Sequence, residues 1–376
     1  MSHPRPLRIL LAAGGTGGHL FPAEALAVEL VRQGIDVHLA TDKRGMAYGG
    51  AFPATERHAI RAGTPSGKSP LALIKALIAL GVGFFQSLRL VRRLKPDAVV
   101  GFGGYPSVPP VLAGWLLGVP TLVHEQNGVL GRANRFLAPR TKGIGTGFPD
   151  VKGVVATFKD RVHLVGNPVR PMVLDAARYD FKTIEADGPI RLLITGGSQG
   201  ARVMSEVVPK ALGLLPARLK SRLVIVHQAR GDDLATAEKL YAEAGLKADI
   251  RAFFDDLPMQ IAKAHLVIGR AGASTVAELA VIGRPSILVP LPGSLDQDQA
   301  ANAETLGLIG ASTVIRQSDF KPQSLASLLE SLFDHPTHLT DSSRAAKSAG
   351  IPDAAARFAN LVIAVAGADA EGSVSR

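Results

Sequence analysis

The chain has 376 residues and no cysteine, which excludes disulfides, thiol nucleophiles and cysteine-based metal sites. Hydrophobic residues make up 47% of the sequence and charged residues 20%, which excludes a largely disordered chain. The chain contains enough hydrophobic residues to form the cores of two α/β domains. The net charge is +10, and the lack of cysteine fits a reduced, cytosolic setting.

Short apolar runs alternate with helix-length amphipathic segments, which is the pattern of parallel α/β units. A first series of predicted strands comprises Leu7–Ala12, Asp36–Ala40, Ala98–Gly101, Thr121–Val123 and His163–Val165. A second series comprises Arg191–Thr195, Leu223–Val226, Asp249–Ala252, Leu266–Ile268, Ser286–Val289 and Ser312–Ile315. We therefore expect two doubly wound, Rossmann-like domains, with a cleft lined by loops at the carboxyl ends of the strands.

The predicted connection between the domains is the segment 166–171, followed by a polar stretch at 182–189. This places an N-terminal domain at residues 1–166 and a C-terminal domain at 167–349. A last helix at about 350–366 completes the first domain, and residues 367–376 are expected to form a flexible tail.

No stretch predicts a secretory signal or a membrane span. Leu7–Ala13 runs directly into a glycine-rich loop instead of a cleavage site. The uncharged stretch 98–124 is interrupted by four prolines and five glycines. The apolar run between Lys75 and Arg89 falls short of the roughly 20 residues that a span needs. We expect a soluble or peripheral protein.

Segment 57–95 contains no acidic residue but eight cations, namely Arg57, Arg61, Lys68, Lys75, Arg89, Arg92, Arg93 and Lys95. The cations flank a largely apolar stretch from Pro70 to Phe85, as in elements that lie on an anionic membrane surface. A buried helix with a solvated, charged end has nearly the same pattern. Nucleic acid is not expected as a partner, because few aromatic residues interleave with the cations.

The sequence Gly14-Gly15-Thr16-Gly17-Gly18-His19 follows the first predicted strand and opens a helix. Glycines allow the backbone to approach a ligand, and a helix N-terminus suits a phosphate or a polar sugar. The helix dipole keeps an imidazole neutral there, so His19 is either a general base or a hydrogen-bonding residue of the loop. Asp42, near the end of the second strand, leaves a dinucleotide-binding alternative open.

Three further patterns lie in the second half. Residues 195–201 form another glycine-rich turn between strand and helix, and residues 269–275 a third, with Glu278 one turn inside its helix. Asp296, Gln299 and Asn302 follow at three-residue intervals and can share a helix face. Each pattern also fits an ordinary turn or a solvated helix face. No metal site is expected, since no further ligand accompanies the Asp-x-Asp of residues 296–298.

Two loops of the first half also follow predicted strands. Gly101–Ser107 is rich in glycine, and four polar residues, His124 to Asn127, come directly after an apolar strand. Ligands bind at the carboxyl ends of such strands. For His124, an orienting hydrogen bond within the loop is an equally open interpretation.

Seven of these strings, in order along nearly the whole chain, resemble the bacterial GT-B glycosyltransferases that convert lipid I to lipid II in peptidoglycan synthesis. The strings are GGTGGHLFPAEALA, GFGGYPSVPP, HEQN, GNPVR, GGSQGAR, GRAGASTVAE and DQDQAANA. Asp298 departs from the family pattern, where His or Gln is frequent, and its role stays open.

The resemblance implies roles for individual residues. His19 falls at the candidate catalytic base and Glu125 at a second catalytic candidate, while Tyr105 and Asn134 lie on the acceptor side. Ser198 would contact the diphosphate of UDP-N-acetylglucosamine, Glu278 its ribose and the backbone of Phe254 its uracil. The remaining donor-binding residues implied are Thr16, Gly17, Gly18, Asn127, Arg170, Ala273, Ser274, Thr275, Gln299 and Asn302.

The resemblance also implies an inverting, metal-independent and cofactor-free transfer. The C4 hydroxyl of the muramoyl sugar in lipid I would attack the anomeric carbon of N-acetylglucosamine and release UDP. The protein would be peripheral at the cytoplasmic face of the inner membrane, docked by segment 57–95, with other cell-wall synthesis and division proteins as partners.

Three alternatives stay open. The first is another GT-B enzyme, such as a UDP-N-acetylglucosamine 2-epimerase or a lipid glycosyltransferase with a different acceptor. The second is a non-catalytic protein that binds a nucleotide sugar or docks on a membrane, and the third is a nicotinamide oxidoreductase.

Overall fold

Two wholly parallel sheets organise the chain in the computed structural model, which describes residues 5–47, 52–63, 70–197, 200–294 and 297–372. The chain divides into two compact units, Met1–Arg170 with Pro352–Arg376 and Pro171–Ile351. Each unit contains one sheet with helices packed on it, as the sequence predicts.

The first unit contains a seven-stranded sheet of order β3-β2-β1-β4-β5-β6-β7. Its strands are β1 (Arg8–Ala13), β2 (Asp36–Thr41), β3 (Glu56–Ala59), β4 (Ala98–Gly101), β5 (Thr121–Glu125), β6 (Gly143–Thr146) and β7 (Val162–Leu164). Its first helices are α1 (Gly17–Arg32), α2 (Lys43–Met46), α3 (Pro70–Leu94), α4 (Val108–Leu116) and α5 (Arg132–Leu137). Short 3-10 helices occupy Tyr105–Ser107, Ala138–Arg140 and Ala156–Arg161.

The second unit contains a six-stranded sheet of order β10-β9-β8-β11-β12-β13. Its strands are β8 (Ile190–Thr195), β9 (Leu223–Gln228), β10 (Ala248–Arg251), β11 (Leu266–Gly269), β12 (Ser286–Leu288) and β13 (Ser312–Val314). Its helices are α6 (Pro171–Ala176), α7 (Arg202–Gly213), α8 (Ala217–Lys220), α9 (Asp232–Glu243), α10 (Leu257–Lys263), α11 (Ala273–Ile282), α12 (Asp298–Leu308), α13 (Pro322–Asp334) and α14 (Thr337–Ala349).

The last helix, α15 (Ala354–Gly372), returns to the first sheet. Phe358 is fully buried there, with its ring centroid 5.9 Å from that of Phe102 and 4.9 Å from that of His124. The helix continues six residues past the end predicted at 366, because alanine at 368 and 370 favours helix. The predicted tail therefore begins with helical residues.

All eleven predicted strands are confirmed, with ends shifted by at most two residues. Strands β3 and β6 have no counterpart among the predicted strands. Strand β3, Glu-Arg-His-Ala, lies at the sheet edge and carries no apolar alternation, and β6, Gly-Ile-Gly-Thr, contains two glycines. Both pair with a longer neighbour, so tertiary packing outweighs their weak strand propensity.

The strand order reverses beside the first strand of each sheet, between β1 and β4 and between β8 and β11. The loops that leave neighbouring strands at such a reversal diverge to opposite faces and leave a crevice at the carboxyl edge. The glycine-rich sequences at 14–18, 101–104, 196–200 and 269–272 directly follow these four strands, or include their last residue. The topology therefore concentrates the predicted ligand-binding sequences at two places, one in each unit.

Candidate active site

In the first unit, the Gly14–Thr16 loop connects β1 to α1 and is held by Asp42. One carboxylate oxygen of Asp42 accepts hydrogen bonds from the N–H groups of Gly15 and Gly45, at 2.9 and 3.0 Å. The other accepts from Arg44 at 3.1 Å. A Cβ at Gly15 would overlap the backbone of Gly45, so only glycine fits this approach. The carboxylate that a dinucleotide site would offer to ribose is thus engaged within the protein.

His19 lies in the first turn of α1, against the loop that follows β4. Gly103 and Gly104 have φ angles of +77° and +69° in that loop. A Cβ built on Gly104 would lie 3.2 Å from Cδ2 of His19, and one on Gly103 would lie 3.4 Å from its Cε1. The two glycines therefore provide both the left-handed turn and the space for the imidazole. The structure brings together two sequence patterns that lie about 85 residues apart.

Glu125, at the end of β5, is buried and its carboxylate accepts four hydrogen bonds. Oε1 accepts from the backbone and side-chain nitrogens of Asn127 at 3.0 and 3.1 Å. Oε2 accepts from the N–H of Gly131 at 2.9 Å and from Nδ2 of Asn134 at 2.8 Å. A buried carboxylate with both oxygens occupied in this way fixes the loop 126–134. The structure gives Glu125 an organising position, and a catalytic role for it stays a prediction.

Asn134 connects this loop to the glycine turn beside His19. Its Nδ2 also donates to the carbonyl oxygen of His124 at 2.9 Å, and a Cβ on Gly103 would lie 3.3 Å from the same nitrogen. Its Oδ1 is buried and accepts no hydrogen bond from the described residues. Tyr105, half-buried, begins the 3-10 helix after the glycine turn. The two residues predicted on the acceptor side thus lie next to the glycine turn that contacts His19.

Arg170 is the last residue of the first unit before α6. Its guanidinium lies 4.1 Å from the ring centroid of Phe21 in α1. The same ring contacts the start of the helix, since a Cβ on Gly17 would lie 3.0 Å from its Cε2. Thr16, Gly17 and Gly18 form the N-terminus of α1, with Gly18 exposed. Arg170 therefore belongs to the same neighbourhood as the first glycine loop.

His124 is fully buried beneath the loop. Its Nε2 lies 2.9 Å from the carbonyl oxygen of Gly166, and its ring packs on Phe358. Burial lowers the pKa of His124 to about 4, so the neutral ring donates from Nε2 to this carbonyl. In this structure His124 therefore forms an orienting hydrogen bond, with a partner outside its own loop.

In the second unit, the loops after β8 and β11 meet. Thr195 ends β8, and its hydroxyl donates to Oε1 of Gln228 at 2.8 Å and accepts from the N–H of Gly197 at 3.2 Å. A Cβ on Gly269 would lie 2.9 Å from the carbonyl oxygen of Thr195. Ser198, predicted at the diphosphate, lies outside the described residues, as does Asp296.

The N-terminus of α11 presents three of the predicted donor-binding residues, Ala273, Ser274 and Thr275. The hydroxyl oxygen of Ser274 is buried and has no hydrogen-bond partner among the described residues. Glu278, 7% exposed, follows one turn inside the helix. An unsatisfied hydroxyl beside free helix N–H groups is the arrangement expected of an anion site.

The side chain of Arg270 holds the segment after β12 against this loop. It is buried and donates to the carbonyl oxygens of Val289 and Pro290, at 3.0 and 3.2 Å, and to Gln317 at 2.6 Å. Burial lowers the pKa of Arg270. In the sequence Arg270 stands out only as part of its glycine-rich string, because its partners lie about 20 and 47 residues away.

Gln299 and Asn302 differ in exposure. Gln299 is half-buried, and its Oε1 accepts from the N–H of Leu291 at 3.0 Å. Asn302 is fully buried, and its Nδ2 donates to the carbonyl oxygen of Ala271 at 3.1 Å. In this structure Asn302 braces the glycine loop, whereas the resemblance implies contact with the sugar. Gln297 precedes α12 with a φ of +56°, a strained conformation for a residue with a side chain.

Phe254 follows β10 and is 3% exposed, with Arg251 placed 5.1 Å from its ring centroid. Its ring is therefore part of the core, and only its backbone remains for the base recognition that the resemblance implies. The neighbouring Phe253 is 58% exposed, which sequence reasoning did not anticipate.

Among the described residues, one group has a metal-like composition, namely His38, Glu56 and His58. Nδ1 of His38 lies 3.2 Å from Nε2 of His58, with ring centroids 5.4 Å apart and ring planes within 14°. The ring planes are nearly parallel, and the distance between the two nitrogens fits an N–H···N hydrogen bond. The group lies on β2 and β3, apart from the glycine loops.

The fold and the loop sequences together define the class of the protein. The family model for the glycosyltransferase family 28 N-terminal domain matches residues 9–146, and that for the family 28 C-terminal domain matches residues 191–358. The chain therefore belongs to glycosyltransferase family 28, and its two Rossmann-like sheets are those of a GT-B glycosyltransferase.

Close relatives share one name. A protein of Methylobacterium sp. (strain 4-46), 59% identical over 97% of this chain and 98% of its own length, is named UDP-N-acetylglucosamine--N-acetylmuramyl-(pentapeptide) pyrophosphoryl-undecaprenol N-acetylglucosamine transferase. A relative from Brucella canis with the same name is 51% identical over 95% of this chain and 94% of its own.

Solved structures of similar fold are found for nearly the whole chain. The crystal structure of Acinetobacter baumannii MurG superposes with a TM-score of 0.75 and 32% identity, covering 95% of this chain and 99% of that one. A UDP-GlcNAc 2-epimerase from Neisseria meningitidis, bound to UDP-GlcNAc, reaches a TM-score of 0.64 at 14% identity over 95% of this chain and 100% of its own. At that identity the likeness is one of fold alone.

The burial of His124 generates a prediction about acid stability. The pKa of His124 is about 4 in the folded protein and near 6.5 in the unfolded chain. Its contribution to the free energy of unfolding is therefore present above pH 6.5 and is lost as the pH falls toward 4. We expect this loss to be on the order of 3 kcal/mol. The His124→Gln variant retains an N–H donor for Gly166 without titrating, and we expect it to show a flatter pH dependence.

The measurement is the unfolding of the first unit in urea, followed by the fluorescence of Trp115. This residue is the one tryptophan of the chain and lies on α4 of that unit. The exposed His163→Gln substitution on β7 is the matched control and should retain the wild-type slope. Equal pH dependence in wild type and His124→Gln would show that the buried ring does not govern acid stability.

Proposed function

We propose that the chain transfers N-acetylglucosamine from UDP-N-acetylglucosamine to lipid I, the undecaprenyl-pyrophosphoryl-N-acetylmuramyl-pentapeptide, and so makes lipid II. The observation that carries this proposal is the 59% identity over nearly the full length to a relative with that name. The two glycine-lined loop clusters, one in each unit, supply the sites that a donor and an acceptor require. The 2-epimerase alternative has support only from the shared fold.

The second unit binds the donor in this proposal. The N–H groups at the start of α11 and the unsatisfied Ser274 hydroxyl receive the diphosphate, together with Ser198 and the N–H groups near Ala273 and Thr275. Glu278 receives the ribose, and the backbone of Phe254 the uracil. Gln299 reaches the sugar through its amide N–H₂, since its oxygen is engaged by Leu291. Asn302 acts as a positioning residue through Ala271.

The first unit binds the acceptor and carries the base. His19 accepts the proton of the C4 hydroxyl as that oxygen attacks the anomeric carbon and the bond to UDP breaks with inversion. Thr16, Gly17, Gly18, Asn127 and Arg170 contribute polar groups to donor or acceptor. Tyr105 and Asn134 face the acceptor, and Glu125 is a positioning residue that holds Asn127 and Asn134.

The departing diphosphate requires charge stabilisation. The helix α11 N-terminus places oriented N–H groups and a hydroxyl where negative charge grows on the leaving group. Such fixed donors perform the task that a divalent ion performs in other transferases. The proposed reaction therefore proceeds without a metal.

Helix α3 is the proposed membrane contact, at the cytoplasmic face of the inner membrane. Five large apolar residues on it are 46–72% exposed, namely Leu73, Ile74, Leu77, Ile78 and Phe85. Unlike the run between Lys75 and Arg89 judged from the sequence, the whole helix is by length and composition long and apolar enough to cross a bilayer, as is the region 337–367, which residues 350–353 divide into α14 and α15. Because α3 packs on α4 through Leu88 and Val91, we propose that it lies on the membrane with its exposed face toward the lipid.

The first test is UDP release from UDP-N-acetylglucosamine, with and without a soluble lipid I analogue, in the presence of EDTA. We expect release that depends on the acceptor and is unaffected by EDTA. Donor binding without acceptor-dependent release would reject the acceptor, and inhibition by EDTA that Mg²⁺ reverses would reject the metal-free mechanism.

Replacement of His19 by alanine should lower kcat by about 10²- to 10⁴-fold, the usual contribution of a general base. The measurement is the same UDP-release assay at saturating donor and acceptor. His163→Ala on the exposed edge strand β7 serves as the control and should keep full activity. A His19→Ala enzyme with wild-type kcat would exclude this residue as the base.

The Ser274→Ala substitution removes the hydroxyl proposed to bind the diphosphate. A hydrogen bond to a charged group contributes about 1.5–3 kcal/mol, so kcat/KM for UDP-N-acetylglucosamine should fall by about tenfold to a hundredfold. Ser327→Ala, on the exposed face of α13, is the control and should change neither constant. Unchanged kcat/KM in Ser274→Ala would remove this hydroxyl from the donor site.

A further inference from the structure

A second concave site lies in the first unit, between β3 and the C-terminal half of α3. Its volume is about 350 Å³, at the lower end of the range for ligand pockets. Arg57 and His58 line it from β3, and Gln86, Arg89 and Arg93 line it from α3, with Glu56 as the one acidic lining residue. The proposed transfer reaction uses none of these six side chains.

Arg89 and Arg93 lie one helical turn apart on the same face of α3. Like charges at this spacing repel each other and destabilise a helix. Among the residues that the structure describes, neither guanidinium forms a hydrogen bond or an ion pair. Arg93 in the last turn complements the helix dipole, but Arg89 lies one turn earlier, and that effect falls off within the last turn. A bound anion would relieve the repulsion.

Two other polar groups of the pocket, Gln86 and Glu56, direct their oxygens toward protein groups. Oε1 of Gln86 accepts from the N–H of Arg61 at 2.9 Å, which leaves its N–H₂ group for a ligand. Glu56 interacts with the buried His58, at 3.5 Å between Oε1 and Nδ1. Burial is the largest cause that lowers the pKa of His58; the charge of Glu56 opposes this shift, and the charges of His38 and Arg93 add to it. The carboxylate is thus turned to the histidine, while the guanidiniums of Arg89 and Arg93 remain for an anion.

We propose that this pocket binds a phosphate ester group, held by the guanidiniums of Arg89 and Arg93 and the amide of Gln86. Arginine forks match the geometry of phosphate oxygens and bind them through paired N–H donors. Arg57, on the opposite wall, adds positive charge.

A lipid headgroup is the source of phosphate that the helix geometry favours. Arg89 follows the exposed Phe85 by four residues, so it lies one turn further along the exposed apolar face of α3. A bilayer in contact with that face would bring its phosphates to the end of the helix where the pocket opens. This choice of source rests on the proposed membrane docking, whereas the pocket chemistry does not depend on it.

The test compares two double variants of the full-length protein that remove equal charge from the same helix. Arg89→Gln with Arg93→Gln removes the two pocket guanidiniums. Lys75→Gln with Arg92→Gln removes two exposed cations of α3 that do not line the pocket. Circular dichroism and UDP release with the soluble acceptor should be unchanged in both variants, so a failure of the proposed function is recognised separately.

Two measurements follow, and each uses a defined probe. Calorimetric titration with glycerol phosphate, at ionic strength matched with sodium chloride, reports the pocket itself. Sedimentation with phosphatidylcholine vesicles, with and without phosphatidylglycerol, measures the affinity for a membrane and so tests a lipid headgroup as the source of the phosphate. We expect the pocket variant to lose glycerol phosphate binding and to lose at least about tenfold more affinity for the anionic vesicles than the control variant.

The other outcomes decide between the sources or reject the site. The pocket variant can lose more affinity for anionic vesicles than the control variant while no glycerol phosphate binding is measurable. That result supports a lipid phosphate that binds only at a bilayer. The pocket variant can instead lose glycerol phosphate binding while both variants lose the same affinity for anionic vesicles. That result overturns the lipid source and assigns the pocket to a soluble phosphate ester. Equal behaviour of the two double variants with both probes overturns the pocket, because diffuse attraction between charges would then explain all binding.

Discussion

The wholly parallel arrangement of both sheets is the constraint on which the rest of the structure depends. Parallel strands place all their carboxyl ends at one edge, so every loop after a strand opens at the same side of its unit. The central strands must then be buried on both faces, and Ile9 to Ala13 of β1 are fully buried. The glycine-rich turns lie among these loops, where the strand order reverses.

The two units hold their loops by different physical means. In the first, the buried carboxylate of Glu125 collects four N–H donors and thereby fixes Asn127, Gly131 and Asn134. In the second, a buried cation does the equivalent work, since Arg270 gathers the carbonyl oxygens that follow β12. Each arrangement satisfies a buried charge with loop backbone, which makes the loop costly to deform. A rigid loop keeps its own N–H groups oriented, which suits the diphosphate site proposed for the second unit.

The positive net charge has a local explanation. Segment 57–95 contains eight of the cations and no acid, and in the structure its helix α3 combines an exposed apolar face with the arginines at its end. The sequence left open whether this helix is buried or faces a membrane. The exposure of Ile78 and Phe85, at 61% and 72%, favours the second, because a soluble core would cover such residues.

By itself, the sequence determined the fold class, eleven of the thirteen strands and the glycine loops, because apolar periodicity and glycine spacing are local signals. It missed β3 and β6, whose strand character comes from their neighbours. Only the tertiary structure placed His19 against Gly103 and Gly104, turned Asn302 inward to Ala271 and showed Arg270 as a brace. These contacts join residues far apart in the chain, and burial and hydrogen-bond partners at that separation leave no pattern in a single sequence.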